Sequence, residues 1–164
     1  MHAHAAAALL DLDNILHTGS SSDPDCDQYW ATATEADEIV SWVLEQAEEA
    51  SASHVLGAGT IATLHHYLGR SEFPHRINLR TVPDGEKDAA DLLLLREGVH
   101  LVERGYTRFV IASGDGAFAD LAALPQVDST VLAYDRVSLS RRLEVATADV
   151  RIFAATRVPI AVAA

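Results

Sequence analysis

The chain has 164 residues, enough for one domain with a real core, and nearly half of them are hydrophobic, which excludes a largely disordered protein. Its formal net charge is −12, and the stretch before Arg70 holds 11 acids without one Lys or Arg, while the remainder holds 13 acids and 12 bases. A polyanion is thereby kept from the first stretch unless a cation or a partner offsets the repulsion, and it has to approach the second.

The Ala-rich start lacks Lys and Arg and is interrupted by Asp11 and Asp13, so it reads as a buried first strand rather than a signal peptide. No run reaches the roughly 18 apolar residues of a membrane span. Residues 5–12 form the expected first strand, with Asp11, Leu12, Asp13 and Asn14 at its tip. Alternation puts Asp11 and Asp13 on one side of the extended strand, with Asn14 entering the turn, where the two acids and the amide can hold a cation. The alternative is that Asp13 and Asn14 cap the loop.

Residues 19–27 are polar and turn-rich and read as a loop. They contain Cys26, which is alone in the chain and so excludes an internal disulfide or a CxxC zinc site; it fits a reducing cytoplasm. A helix is expected over 35–50, with Thr34 as N-cap, Ile39, Trp42, Val43 and Gln46 at helical spacing, Trp42 in the core, and Glu45, Glu48 and Glu49 on a solvated face. Strand two covers 53–59, and a helix over 60–68 is entered through Gly57, Ala58, Gly59 and Thr60. Such a turn can cradle a phosphate, but without a third glycine or a Walker lysine it reads as a tight turn. His65 and His66 point apart on that helix and lack a partner at metal spacing, so they read as surface or half-buried histidines.

Strand three covers 76–82, with Arg76 and Arg80 on one side and Ile77 and Leu79 on the other, and Pro83, Asp84 and Gly85 turn the chain. The helix over 88–104 places Asp91 in its first turns, where the dipole tolerates an anion. Strand four, 106–112, runs into Ser113, Gly114, Asp115 and Gly116. A short helix over 117–124 stops at Pro125; strand five at 128–134, a helical turn at 138–145 with Arg141 and Arg142, and strand six at 150–154 follow, leaving 155–164 as a tail. Alternating strands and helices predict a single-domain α/β protein over 1–164, core about 5–154, in a three-layer arrangement around a mainly parallel sheet.

An apolar strand that ends in small residues carrying one carboxylate presents an acid at the C-terminal edge of such a sheet, which makes Asp115 the leading candidate. Asp11 and Asp91 are expected at the same edge. Carboxylates gathered there repel one another unless a cation is present, so a Mg2+ or Mn2+ site and phosphodiester hydrolysis are the expected chemistry. The plain alternative is three unrelated loop acids.

A resemblance adds to this reading. Leu10-Asp11-Leu12-Asp13-Asn14, Lys87-Asp88-Ala89-Ala90-Asp91-Leu92 and Ile111-Ala112-Ser113-Gly114-Asp115-Gly116-Ala117-Phe118 resemble the signature segments of NYN domains, a PIN-like family of metal-dependent ribonucleases. The family pattern is D-x-x-N after the first strand, K-x-A-A-D at a helix start and S-x-D-x-D-F after a later strand. The resemblance spans residues 9 to about 153 and implies a PIN-like fold, an RNA substrate, and Asp11, Asp91 and Asp115 as catalytic, metal-binding acids. It implies Asn14 as a positioning group, Lys87 as a phosphate contact and Ser113 as a supporting residue. Glu97 falls where relatives carry a second helix acid, yet six residues turn a helix by about 600°, roughly 120° off the face of Asp91. Ala117 departs from the pattern, which has a second Asp there, and so puts activity in doubt; Asp13 or Asp120 would have to compensate.

Two other readings remain open at this point. Asp11-Leu12-Asp13 with Gly114-Asp115-Gly116 and Asp120 also resembles haloacid dehalogenase-like phosphatases, making Asp11 a nucleophile, Asp13 a general acid and Asp115 a magnesium ligand. Against it, Ile15 replaces the usual Thr and Lys87 to Leu92 is left without a role. Alternatively, the chain is an inactive NYN-type module that binds RNA or a protein partner. RNA contacts would come from Arg76, Arg80, Lys87, Arg96, Arg136, Arg141 and Arg142 unless these are dispersed surface arginines. A homodimer using the apolar stretch 158–164 is a further expectation.

Overall fold

A computed structural model describes residues 5–17 and 30–156; Cys26, the whole of the expected 19–27 loop and the apolar stretch 158–164 lie outside the described residues. The sheet has six strands: β1 (Ala5–Asp11), β2 (Ala52–Thr60), β3 (Asn78–Val82), β4 (Tyr106–Ala112), β5 (Asp128–Ala133) and β6 (Asp149–Ile152). They lie in the order β3-β2-β1-β4-β5-β6, and every pairing is parallel. The intervening helices are α1 (Leu12–Leu16), α2 (Ala33–Glu49), α3 (Ile61–Tyr67), α4 (Ala89–Glu103), α5 (Ala119–Ala122), α6 (Arg141–Ala146) and α7 (Phe153–Thr156).

The three-layer α/β arrangement follows from strand alternation. On β1, Ala8 and Leu10 face one side, where they pack with residues of α1, α2 and α3 such as Leu16, Val40 and Leu64. Ala7 and Leu9 face the other, with Leu94 and Leu101 of α4, Leu121 of α5 and Leu143 of α6. A strand covered on both faces has no polar side, which is why residues 5–10 form an unbroken apolar run. Gly98 lets α4 settle on this layer: a Cβ there would stand 2.7 Å from Leu121 Cδ2 and 3.1 Å from Leu9 Cδ1.

Several boundaries differ from expectation for local reasons. Strand one stops at Asp11, whose side chain accepts from the Asn14 N–H and caps α1, so Asp13 sits on a helical turn and does not continue the strand. The N-cap of α2 is Thr32, not Thr34, because Thr32 and Glu35 stand at capping-box spacing and Thr32 Oγ1 accepts from the Glu35 N–H. Trp42 is half-buried against the core rather than inside it. Arg76 precedes β3, at the end of a short 3-10 turn, and donates to Ser41 Oγ at 2.6 Å. The last strand ends at Ile152, where Phe153 begins α7. Among the described residues no helix is long and apolar enough to cross a membrane.

Candidate active site

In this strand order the chain reverses its direction of growth between β1 and β4, and loops leaving the C-terminal ends of those two strands part to leave a crevice. A cavity of about 480 Å³ opens there, lined by Asp11, Asp13 and Asn14 after β1, Asp115 after β4, and Asp84, Glu86, Asp88 and Asp91 from the β3–α4 connection. The three expected acids Asp11, Asp91 and Asp115 therefore share one cavity.

Asp11 is 3% exposed and Asp91 8%. Asp11 Oδ1 accepts from Asn14 N at 3.2 Å, and its Oδ2 accepts from Ser113 Oγ at 2.9 Å. Burial, and next the negative charge and hydrogen bond of Asp91, push the Asp11 carboxyl well above the usual carboxylate range. The Asp91 carboxyl is raised too, chiefly by burial, with Asp115, Asp88 and Asp13 adding repulsion and the hydrogen bond to Asp11 opposing them. Two adjacent carboxyls in this condition hold a proton between them, or a cation in its place.

Asn14 Oδ1 accepts from Gly114 N at 2.8 Å, and Ser113 Oγ accepts from Asp115 N at 3.0 Å, so the first and third motifs are tied directly together. Gly114 is required at this point: a Cβ would lie 2.2 Å from the Ser138 carbonyl oxygen. Asp115 Oδ1 accepts from Ala117 N at 2.7 Å, and its other oxygen makes no hydrogen bond among the described residues. The residue where the family pattern has a second Asp thus serves the site through its backbone N–H.

Other expected residues stand elsewhere. Asp13 lines the cavity but spends its carboxylate on the start of α3, accepting from Thr60 N at 3.0 Å, Thr60 Oγ1 at 3.2 Å and Thr63 Oγ1. The Thr60 N–H is thereby taken, which removes the phosphate cradle that Gly57 to Thr60 could have formed. Asp120 is on the surface, paired with Arg142 at 2.6 Å, and so can neither supply the second late acid of a haloacid dehalogenase-like phosphatase nor replace the Asp missing at 117. Glu97 faces His54 at 3.4 Å, away from the cavity, as its helical angle required. Lys87 is exposed and does not line the cavity; Arg141 is exposed on α6 and Arg80 on the edge strand β3. His65 is exposed, and His66 packs on Trp30 at a ring separation of 4.6 Å.

Sequence reasoning missed the far wall. Asp84 accepts from Ala62 N at 2.9 Å, and Asp88 sits at φ 58° ahead of α4 without capping it. The run of charges at 84–88 was the available signal. His17 and Trp30 close another side, ring against ring at 4.0 Å, and burial holds the His17 imidazole below its usual pKa, with Asp13 opposing and His66 adding to the effect.

Among the described residues no group of three or more His, Cys, Asp or Glu side chains stands close enough to enclose a metal ion. The donor set nonetheless fits a hard cation that keeps much of its water: Asp11 and Asp91 touch, all the donors are oxygens, and Asp115 acts on Asp91 through charge.

No family model matches the chain, and no curated protein matches it. Among solved structures it is similar to a protein of unknown function from Vibrio parahaemolyticus RIMD 2210633, with 18% identity and a TM-score of 0.59 over 92% of this chain and 93% of that one. That likeness concerns the three-layer α/β fold.

Proposed function

We propose that the protein is a metal-dependent ribonuclease of the NYN type, hydrolysing RNA phosphodiester bonds in the cavity between β1 and β4. The observation that carries the reading is the buried Asp11–Asp91 pair, two carboxyls in contact at the sheet's switch point, with Asp115 lining the same cavity. Held there, Mg2+ or Mn2+ would supply an activated water and offset charge on the scissile phosphate. Asp11 and Asp91 offer the hard oxygens, and Ser113 and the Asn14 backbone fix the rotamer of Asp11. The Asn14 side chain holds the Gly114 turn so that Asp115 stays aimed at the pair. The substrate class rests on the motif resemblance, and the lone cysteine supports a cytoplasmic setting.

One observation favours a second reading, a binding module without activity: no closed three-ligand group is drawn up among the described residues, and Ala117 adds no carboxylate. Both readings meet in one experiment, cleavage of a labelled single-stranded RNA in Mn2+ or Mg2+ against EDTA, wild type beside Asp115→Asn. Metal-dependent cleavage that disappears in the variant supports the nuclease. Inert protein with no metal-induced thermal shift leaves the binding module.

A further inference from the structure

We infer that the groove between β3 and α4 is a phosphate-binding track that carries the RNA strand away from the carboxylate cavity, an inference that rests on the ribonuclease reading for its ligand. Three arginines of this acidic protein are neutralised locally: Arg136 by Glu144, Arg142 by Asp120, and Arg151 by Glu49 and Asp149. Arg80 and Arg96 are different. Both are exposed, both line a groove of about 200 Å³, and neither has an ion-pair or hydrogen-bond partner among the described residues.

Their placement follows from element geometry. Asn78, Arg80 and Val82 alternate onto the face of β3 that α4 covers; Val82 goes into the core beneath α4, and Asn78 and Arg80 are left at the open edge. Arg96 projects from α4 into the same groove. Among the described residues the one acid lining it is Glu97, with His54 Nε2 3.4 Å away. Guanidinium groups present a planar fork of donors that matches phosphate oxygens, and the Asn78 amide adds a neutral donor suited to phosphate or ribose.

The groove also leads to the proposed reaction centre. Arg80 lies two residues, about 7 Å of strand, before the point where β3 enters the cavity loop. Arg96 lies five residues, about 7.5 Å along the axis, beyond Asp91. The connection that lines the cavity thus joins the strand and the helix that line the track. A polyanion repelled by the acid cavity needs an attractive surface near its rim, and the two unpaired guanidinium groups of this groove supply one.

The test uses the full chain in EDTA, so that binding is read without turnover, by fluorescence anisotropy of a labelled single-stranded 12-nucleotide oligouridine. Wild type is compared with the double variant Arg80→Ala/Arg96→Ala and with Arg141→Ala/Arg142→Ala. The groove variant is expected to bind about tenfold more weakly and to lower the slope of log K against log salt by about 1.4, two phosphate contacts at roughly 0.7 each for a single strand. The α6 variant should match wild type. Both altered groove side chains are exposed and unpaired, so unchanged thermal melting confirms that loss of binding is not loss of fold. Equal binding by wild type and the groove variant, equal loss in the α6 variant, or no binding by wild type overturns the track. Failure of the ribonuclease reading would appear separately, as absence of metal-dependent cleavage, and leaves the anisotropy result intact.

Discussion

On the wall of the cavity formed by β1 and α4, Asp11 and Asp91 press against each other with raised carboxyl pKa values. On the wall formed by β2 and α3, Asp13, only two residues further on, is surrounded by the donors of Thr60 and Thr63. The first wall is electrostatically frustrated and leaves oxygens for a ligand. The second is satisfied and holds the scaffold. Residue type is the same on both, so the neighbours decide which carboxylate is available for chemistry and which is structural.

Substitutions on the two walls should therefore separate activity from stability. The largest effect expected is at Asp91→Asn, which removes one charged oxygen donor and should lower metal-dependent RNA cleavage by about a hundredfold or more, read in single-turnover assays. Next is Asp13→Ala, which strips a charged acceptor from three donors and should cost about 3 kcal/mol of folding stability in urea titration. The same Asp91→Asn change should stabilise the metal-free protein, because an amide beside Asp11 ends the repulsion; a Tm rise of roughly 2–4 °C by calorimetry is the expected size. A variant that loses both activity and stability at Asp91 would erase the contrast between the walls.

The pH dependence has a fixed sign. Folded pKa values above the ordinary carboxylate value mean that the folded state binds more protons than the unfolded one. The stability due to the pair is complete below that ordinary value and is lost as pH rises through the raised values of the folded pair. Urea midpoints followed across this window should fall with pH in wild type and fall less in Asp91→Asn. The smallest effect is remote from both walls: Thr32→Ala removes the α2 cap and should cost about 1 kcal/mol with cleavage unchanged.

The sheet was legible because it obeys simple periodicities. Strands buried on both faces read as short apolar runs, and the helices between them carry apolar residues at helical spacing. The convergence of Asp11, Asp91 and Asp115 was legible too, since all stand at strand ends or helix starts on one edge. What sequence reading misplaced depended on hydrogen bonds between distant segments. Extending the strand to Asp13 overlooked that Asp11 caps its own helix at a D-x-x-N spacing. The Asp13 partners at Thr60 and Thr63 lie 47 and 50 residues away. Thr34 reads as the N-cap from its place beside Glu35, whereas the capping-box spacing belongs to Thr32 and Glu35. The charges at 84–88 signal a wall without placing it, because β3 is an edge strand and only the path of α4 back across β1 brings its connection over the cavity.

The ties between the first and third motifs, Ser113 to Asp11 and Gly114 to Asn14, join residues 102 and 100 positions apart. Closing loops of that size carries a large entropic cost and gives the folding reaction a non-local character, so the cavity has no existence in a partly ordered chain. A ligand that recognises the cavity consequently reports on the complete molecule. Its binding energy is added to global unfolding by mass action, and it should slow hydrogen exchange of the slowest core amides of β1 and β4 as well as those beside the site.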